Sequence, residues 1–281
     1  MVTIERIEDF RNFFHTRRQG EKVGIVPTMG NLHKGHLALV EAARKNCTSV
    51  VTTIFVNPIQ FGEGEDYADY PRTFEKDQMK LNGLEVDVLF APSVDEIYPG
   101  GPDHQTTITV PVLSSILCGS NRPIHFDGVA TVVAKLFNIV QPDVAYFGEK
   151  DWQQLILIRT MVQQLSMPID IIGVPTVREN DGLALSSRNL YLSGRERPIA
   201  PILHQTLQEL QGEVSKRVKT FSALEGDAMR RLRKAGFEPD YVAILDASTL
   251  LSPSKFTQSL RILVAARLGQ TRLIDNISAK I

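Results

Sequence analysis

Short apolar runs recur through the first two-thirds of the chain at residues 22–26, 49–55, 86–90 and 144–147, and each is followed by a stretch long enough to form a helix. Strand-like runs alternating with helical periodicity restrict the fold to a parallel sheet wrapped by helices, because parallel neighbours need long crossovers. The clearest crossover holds Val129, Val132, Val133, Leu136, Phe137 and Val140, an i, i+3, i+4, i+7 stripe that must pack against the sheet. A second helix is expected over 152–165, opened by Asp151-x-x-Gln154 in the manner of a capping box. Parallel strands end on one face, so the residues after Val26, Phe55 and Phe147 should converge on one crevice.

After a further apolar run at 169–174 the texture changes, and Pro175 with Asn180-Asp181-Gly182 supplies turn signals. At 281 residues the chain fits two unequal domains, expected over 1–175 and 176–281. The second reads as a smaller α+β domain. It offers helices opened by Ser193-x-x-Glu196 and Ser222-x-x-Glu225, then strand-like runs at 241–245, 260–266 and 272–274.

Composition removes whole classes of function. Apolar residues make up 43% and charged residues 22%, as in soluble globular proteins. The formal net charge of −1 argues against a nucleic-acid partner, which needs clustered Lys and Arg. The longest apolar stretch, 129–140, is broken by Lys135 and Asn138 and falls short of the roughly 20 residues of a membrane-spanning helix. The first ten residues carry Glu5, Glu8 and Asp9 and have no signal-peptide pattern, so the expected location is cytoplasmic. Cys47 and Cys118 are far apart in sequence and are expected to be reduced and structural.

Between the first strand and its helix lies Pro27-Thr28-Met29-Gly30-Asn31-Leu32-His33-Lys34-Gly35-His36. A glycine-containing loop at a helix N-terminus presents free backbone N–H groups and a partial positive charge to a phosphate, and His33 and His36 add imidazole donors. The plainer alternative is that the histidines merely cap the helix. A zinc site is disfavoured, since two imidazoles three residues apart lack further ligands nearby in sequence.

Asn57-Pro58-Ile59-Gln60-Phe61 follows the second strand, and its two amides suit a small polyfunctional substrate unless the segment is only an Asn-Pro turn. Gly148-Glu149-Lys150-Asp151 repeats the strand-to-helix geometry and puts Lys150 near phosphates, with Gln154 one turn into the helix. Ser186-Ser187-Arg188 can clamp phosphate oxygens. Arg122 and His125 are expected in a loop, 121–128, just before the helix at Val129, either another anion-binding loop or an ordinary Gly-terminated connection. The basic run 230–234 reads as a solvated helical face. The G-x-S-x-G elbow, the G-x-x-x-x-G-K-[ST] loop and G-x-G-x-x-G after a strand are all missing, so hydrolase, P-loop and nicotinamide chemistries lack their signatures.

Taken together, Pro-Thr-Met-Gly-Asn-Leu-His-Lys-Gly-His, Phe-Val-Asn-Pro-Ile-Gln-Phe-Gly, Phe-Gly-Glu-Lys-Asp-Trp-Gln-Gln and Val-Pro-Thr-Val-Arg-Glu-x-Asp-Gly-Leu-Ala-Leu-Ser-Ser-Arg-Asn closely resemble the pantoate-β-alanine ligase family over essentially the whole chain. The resemblance implies a Rossmann-like, doubly wound nucleotidyltransferase domain, a smaller C-terminal domain that closes over it, and a homodimer. It implies ATP-dependent joining of (R)-pantoate to β-alanine through a pantoyl adenylate, with Mg²⁺ accompanying ATP. By motif, Met29, Gly30, Asn31, Leu32, His33, Lys34, Gly35 and His36 would line the ATP site, with His36 as the proton donor and His33 and Lys150 beside the chemistry. Gly148, Glu149, Lys150, Asp151, Val177, Leu185, Ser186, Ser187 and Arg188 would complete that site. Gln60 and Gln154 would hold pantoate, Asn57 would support them, Gln60 would also lie near β-alanine, and Arg122 and His125 would lie near the reacting groups. Lys76-Asp77 does not match the acidic pattern expected for the metal, so no protein ligand is assigned to it. Two alternatives stay open: a nucleotidyltransferase that stops after transfer to a phosphorylated acceptor, and a catalytically silent nucleotide-binding module.

Overall fold

The computed structural model describes residues 1–15, 20–62 and 64–280. The chain divides into two compact units, Met1–Glu149 with Leu157–Pro175, and Lys150–Ile156 with Thr176–Ile281. Residues 150–156, which follow the last long strand-to-helix turn, thus pack with the second unit.

The first unit is built on a parallel sheet of β1 (Val2–Ile4), β2 (Val23–Thr28), β3 (Ser49–Ile54), β4 (Val88–Phe90), β5 (Val144–Gly148) and β6 (Asp170–Val174), in the order β1-β4-β3-β2-β5-β6. Its helices are α1 (Ile7–His15), α2 (Lys34–Asn46), α3 (Phe74–Gly83), the short α4 (Val94–Ile97) and α5 (Cys118–Asn121), and α6 (His125–Val140); α7 (Trp152–Gln164) begins among the residues assigned to the second unit. This is the helix-wrapped parallel sheet expected from the alternation, doubly wound as the resemblance implies. Three-residue β1 is too short to leave a pattern in the sequence. β4 starts later than expected because the N–H of Val86 turns back to the carbonyl of Leu81, closing the end of α3 instead of extending the strand.

Helix α6 begins at His125, four residues before its apolar stripe, so His125 and Gly128 lie on the helix and not in the expected loop. The whole stripe is buried, and Ala130, Thr131, Ala134 and Ile139 are buried as well, so α6 is enclosed on more than one face. Glycine at 128 is required by close approach. A Cβ there would lie 2.5 Å from the carbonyl oxygen of Ile59 and 2.7 Å from the Cα of Gln60.

The strand order makes a switch point between β2 and β5, where the chain's progression across the sheet reverses. Pairing there is short, with only Gly24 opposite Val144 and Ile25 opposite Ala145. By contrast, β2 pairs with β3 to Thr28 and Ile54, and β5 with β6 to Gly148 and Val174. Pro27, which has no N–H to donate, lies in the part of β2 beyond its last β5 partner. The sheet is therefore unlaced at the C-terminal ends of β2 and β5, which is where an open α/β fold receives a ligand.

The second unit holds an antiparallel sheet of β7 (Glu238–Asp246), β8 (Ser259–Leu268) and β9 (Thr271–Lys280), against which α8 (Ile202–Lys216) and α9 (Phe221–Lys234) pack. Leu203, Leu207, Leu210, Leu224 and Leu232 meet Ile244, Ile262 and Val264 in its core. Two helix starts differ from expectation. Thr220, not Ser222, caps α9 by accepting from the N–H of Ala223, and Glu225 accepts instead from the N–H of Ile244 on β7. Ser193 and Glu196 do exchange capping hydrogen bonds, but they close a turn, and α8 starts only at Ile202. Both cysteines are free and buried, and no helix among the described residues is long and apolar enough to cross a membrane.

Candidate active site

In the first unit the loop after β2 is held from below by α3. The hydroxyl of Thr28 donates to the carbonyl of Thr53 at 2.6 Å and accepts from the N–H of Gly30 at 3.2 Å. Gly30 (φ 82°) and Asn31 (φ 48°) then turn the backbone through the left-handed region, which aims successive N–H groups to one side. Asp77 receives them: Oδ2 accepts from Asn31 N–H at 2.8 Å and Oδ1 from Leu32 N–H at 2.9 Å. Its carboxylate is fully buried, accepts a third bond from the hydroxyl of Thr73, and lies 3.6 Å from the Nζ of Lys80. Lys80 in turn donates to the carbonyl of Leu32 at 2.6 Å. One helix face, Thr73, Asp77 and Lys80, thereby fixes the backbone that leads into the histidines.

Those histidines form a reciprocal cap. The Nδ1 of His33 accepts from the N–H of Gly35 at 3.1 Å, while the Nδ1 of His36 accepts from the N–H of His33 at 3.3 Å. Their rings stack with centroids 4.1 Å apart. A neutral imidazole that accepts at Nδ1 carries its hydrogen on Nε2, so the cap sets the tautomer of both rings. Both histidines thus cap α2, and a capping role leaves their chemistry as imidazoles intact.

The segment after β3 forms a single 3₁₀ turn, Pro58–Gln60. Asn57 is buried and its amide is fully committed: Nδ2 donates to Gln60 Oε1 at 3.2 Å and to the carbonyl of Gly128 at 3.1 Å, and Oδ1 accepts from the hydroxyl of Tyr98 at 2.8 Å. Gln60 directs Nε2 at the sulfur of Met29, 2.9 Å away, which joins the two strand-end motifs. His125 Nδ1 lies 2.8 Å from the backbone carbonyl of Gln60, and Arg122 reaches the same oxygen at 3.5 Å. Arg122 also forms a forked ion pair with Glu65. Burial works against the charge of Glu65, but the hydrogen bonds and charge of Arg122 outweigh it and hold that carboxyl below its ordinary value. Arg122 and His125 thus support the Gln60 backbone.

Glu149–Asp151 form one 3₁₀ turn leading into α7, and from Lys150 on these residues belong to the second unit. The carbonyl of Lys150 accepts from Asn276 Nδ2 at 2.8 Å, and Lys150 Nζ lies 3.7 Å from Asp151. Asn276 is held by Arg261, whose guanidinium lies 3.7 Å over the ring of Trp152, and Trp152 donates to the carbonyl of Ala247 at 3.0 Å. Gln154 is half-buried in the first turn of α7. Val177 and Leu185 are joined by a 3.0 Å backbone hydrogen bond, closing a small hairpin through the Arg178–Ala184 bridge. Ser186 caps the 3₁₀ turn Ser187–Tyr191 by accepting from the N–H of Arg188 at 3.3 Å. Lys150, Asp151, Gln154, Val177 and Leu185 to Arg188 therefore belong to one unit, while Met29 to His36, Asn57, Gln60, Arg122, His125, Gly148 and Glu149 belong to the other.

A paired-histidine helix cap at the switch point of a parallel sheet is nucleotide-binding geometry, and comparison with known proteins makes the assignment specific. The sequence model described as Pantoate-beta-alanine ligase matches residues 2–278. The chain belongs to the pantoate-β-alanine ligase family. It is 51% identical over 282 residues to the pantothenate synthetase of Azotobacter vinelandii, covering 100% of both chains. It is 52% identical over 278 residues to that of Pseudomonas putida strain W619, covering 99% of this chain and 97% of the relative. Among solved structures, pantothenate synthetase from Thermus thermophilus matches with a TM-score of 0.89 at 47% identity, over 99% of each chain. The pantoate-β-alanine ligase of Francisella tularensis, complexed with beta-gamma ATP and beta-alanine, matches with a TM-score of 0.83 at 34% identity, over 99% of this chain and 97% of that one. Membership of this ligase family makes the protein an ATP-binding enzyme of pantothenate biosynthesis that carries out ATP-dependent ligation.

Several residues that hold the candidate site together have no sequence signal. Thr73 and Lys80 act through α3, a helix without a clear apolar stripe, and Tyr98 reaches Asn57 from 41 residues away. In the sequence Asp77 bears only on metal binding, whereas its buried carboxylate holds the loop of the paired histidines. Gly128 left one faint signal, a glycine just ahead of a strong helical stripe.

Proposed function

We propose that the ligase works in two steps through a pantoyl adenylate, with the pantoate carboxylate attacking the α-phosphate of ATP and the β-alanine amine then displacing AMP from the activated carbonyl. In the first step a carboxylate O–Pα bond forms as the Pα–O bond to pyrophosphate breaks; in the second an amide C–N bond forms as the acyl C–O bond to AMP breaks and the amine loses a proton. A carboxylate is already ionised near neutral pH and needs no base. What the first step needs is in-line alignment and neutralisation of developing phosphate charge. The single observation that carries this assignment is the reciprocal cap of His33 and His36, which fixes two Nε2–H donors at the N-terminus of α2.

In this scheme Met29 to His36, together with Gly148, Glu149, Lys150, Asp151, Val177, Leu185, Ser186, Ser187 and Arg188, bind ATP. His36 donates to the reacting phosphate, assisted by His33 and by Lys150 as a point charge. Gln60 and Gln154 hold (R)-pantoate, Asn57 orients Gln60, and Arg122 and His125 keep the Gln60 backbone in place beside the pantoate and β-alanine subsites. The Francisella ligase, complexed with beta-gamma ATP and beta-alanine, supports the choice of these two ligands.

Among the described residues no group of three or more His, Cys, Asp or Glu side chains is placed to hold a metal ion. The nearest carboxylate to the loop, Asp77, has both oxygens engaged by backbone N–H groups. These residues do not fit a protein-held Mg²⁺, and we assign Mg²⁺ to the incoming ATP complex as part of the substrate. The proposed setting is a cytoplasmic homodimer, testable by sedimentation of the purified protein. For the chemistry, the deciding measurement is exchange of labelled pyrophosphate into ATP that depends on pantoate and proceeds without β-alanine. Folded protein that makes pantothenate but catalyses no such exchange would remove the adenylate intermediate from the scheme.

A further inference from the structure

We infer that Tyr98 is a positioning residue of the pantoate subsite, acting through Asn57 to fix which end of the Gln60 amide faces the ligand. The inference rests on the proposed role of Gln60 and extends it to a residue outside the binding motifs. A glutamine amide is two-faced: flipped, it presents an acceptor where it had presented a donor. In this protein the flip is prevented by a chain of hydrogen bonds beginning at a main-chain carbonyl. The oxygen of Gly128 can only accept, so the Asn57 group facing it, 3.1 Å away, must be the NH₂. Asn57 Oδ1 then points the other way and needs a donor, which the phenolic hydroxyl of Tyr98 supplies at 2.8 Å. The second hydrogen of the Asn57 NH₂ meets Gln60 Oε1 at 3.2 Å. Gln60 is left with Nε2 as its outward group.

That Nε2 faces the sulfur of Met29, and a thioether is a weak acceptor that a ligand oxygen can displace. The subsite is thereby set to receive an acceptor, a hydroxyl or carboxylate oxygen such as pantoate carries. Tyr98 suits the task because it is fully buried, as is Asn57 to within 1%, so water does not compete for the Asn57 oxygen. Burial also pushes the phenol's pKa up, which keeps its proton in place throughout the working pH range. Tyr98 touches Asn57 and lies outside the motifs proposed to bind ATP.

The test compares the wild-type enzyme with Tyr98→Phe and Asn57→Asp in the pantoate-dependent pyrophosphate exchange assay, reading the KM of pantoate and of ATP separately, with thermal melts to establish folding. Losing one buried hydrogen bond from the relay should raise the pantoate KM of Tyr98→Phe by about tenfold, with the ATP KM within about twofold of wild type. Asn57→Asp replaces the double donor with an acceptor and should show the same selectivity with a larger rise. A purely structural tyrosine would lower the melting temperature and the active fraction while leaving both KM values alone, and that result overturns the inference. If Tyr98→Phe does not fold, Asn57→Asp decides: a selective pantoate effect upholds the relay, and equal effects on pantoate and ATP overturn it. Wild-type enzyme without pantoate-dependent exchange would instead remove the adenylate reading and this inference with it, an outcome visible before any variant is measured.

Discussion

Arg178 grips Asp275 with both arms of its guanidinium, Nη1 to Oδ2 at 2.7 Å and Nη2 to Oδ1 at 2.9 Å, and the carboxylate side chain is 2% exposed. The pair ties the hairpin that joins Val177 to Leu185 onto β9, next to Asn276, which holds the carbonyl of Lys150. His204 Nδ1 lies 3.3 Å from the same carboxylate without an aligned hydrogen bond, so Arg178 supplies the directional contacts. Removing one partner of a buried pair leaves the other charge stranded. Arg178→Met should therefore destabilise the second unit by about 3–5 kcal/mol, read by urea denaturation followed through Trp152 fluorescence.

The same pair sets an acid limit. Burial acts to raise the pKa of Asp275, but the His204 ring close by and the two directional bonds and charge of the Arg178 guanidinium together outweigh it and hold the carboxyl below its ordinary value. A carboxyl depressed on folding contributes stability above its unfolded pKa, and loses it as pH falls through the folded value. Stability measured at pH 7 should hold to about pH 4 and then decline with this contribution, and Asp275→Asn, already weaker at neutral pH, should show a shallower acid decline. Parallel acid slopes for the two proteins would count against the assignment.

The observed cap and the proposed phosphate contact of His33 can be separated by substitution. Asparagine is a good N-cap but has no donor at the Nε2 position, so His33→Asn should keep stability to within about 1 kcal/mol while turnover falls by about 10²–10³-fold. His33→Ala should lose the cap as well. Circular dichroism melts alongside single-turnover kinetics distinguish the two, and equal stability losses in both variants would show that the cap is unimportant.

Asp77→Asn keeps the size of the side chain but turns one acceptor toward the loop into a donor. One of the bonds from Asn31 and Leu32 is then lost, at a cost of about 1–3 kcal/mol. Because the loop leads into the helix cap, the KM of ATP should rise more than that of β-alanine, measurable by steady-state AMP release.

Gly128→Ala drives a methyl group into the backbone of Ile59 and Gln60, with approaches of 2.5 and 2.7 Å that must relax. A stability loss of about 1–3 kcal/mol is expected, together with weaker pantoate binding. Unchanged pantoate affinity in a destabilised variant would mean that the loss is confined to packing.

The sheet was legible because its strands are central and apolar: 23–26, 49–54 and 144–147 read as buried runs and form β2, β3 and β5. The strand-end motifs were legible for the same reason, since a parallel sheet delivers the residues after its strands to one edge. Edges were less legible. β1 is three residues long, and α6 extends one turn before its stripe because His125, Asp127 and Gly128 are not the residues a helical pattern rewards. Ser222 looked like a cap, but the tertiary packing of Phe221 draws it into α9 and leaves Thr220 to cap the helix.

By itself the sequence determined the layered sheet, the family, and which loops carry amides, histidines and cations, because hydrophobic periodicity and contiguous motifs are local properties. Tertiary structure alone decided how those groups are aimed. The orientation of the Gln60 amide and the duty of Asp77 each depend on hydrogen bonds between residues 41 to 71 positions apart. Hydrogen-bond direction is a property of atoms brought together by folding, and a buried donor or acceptor takes whichever partner the packing provides.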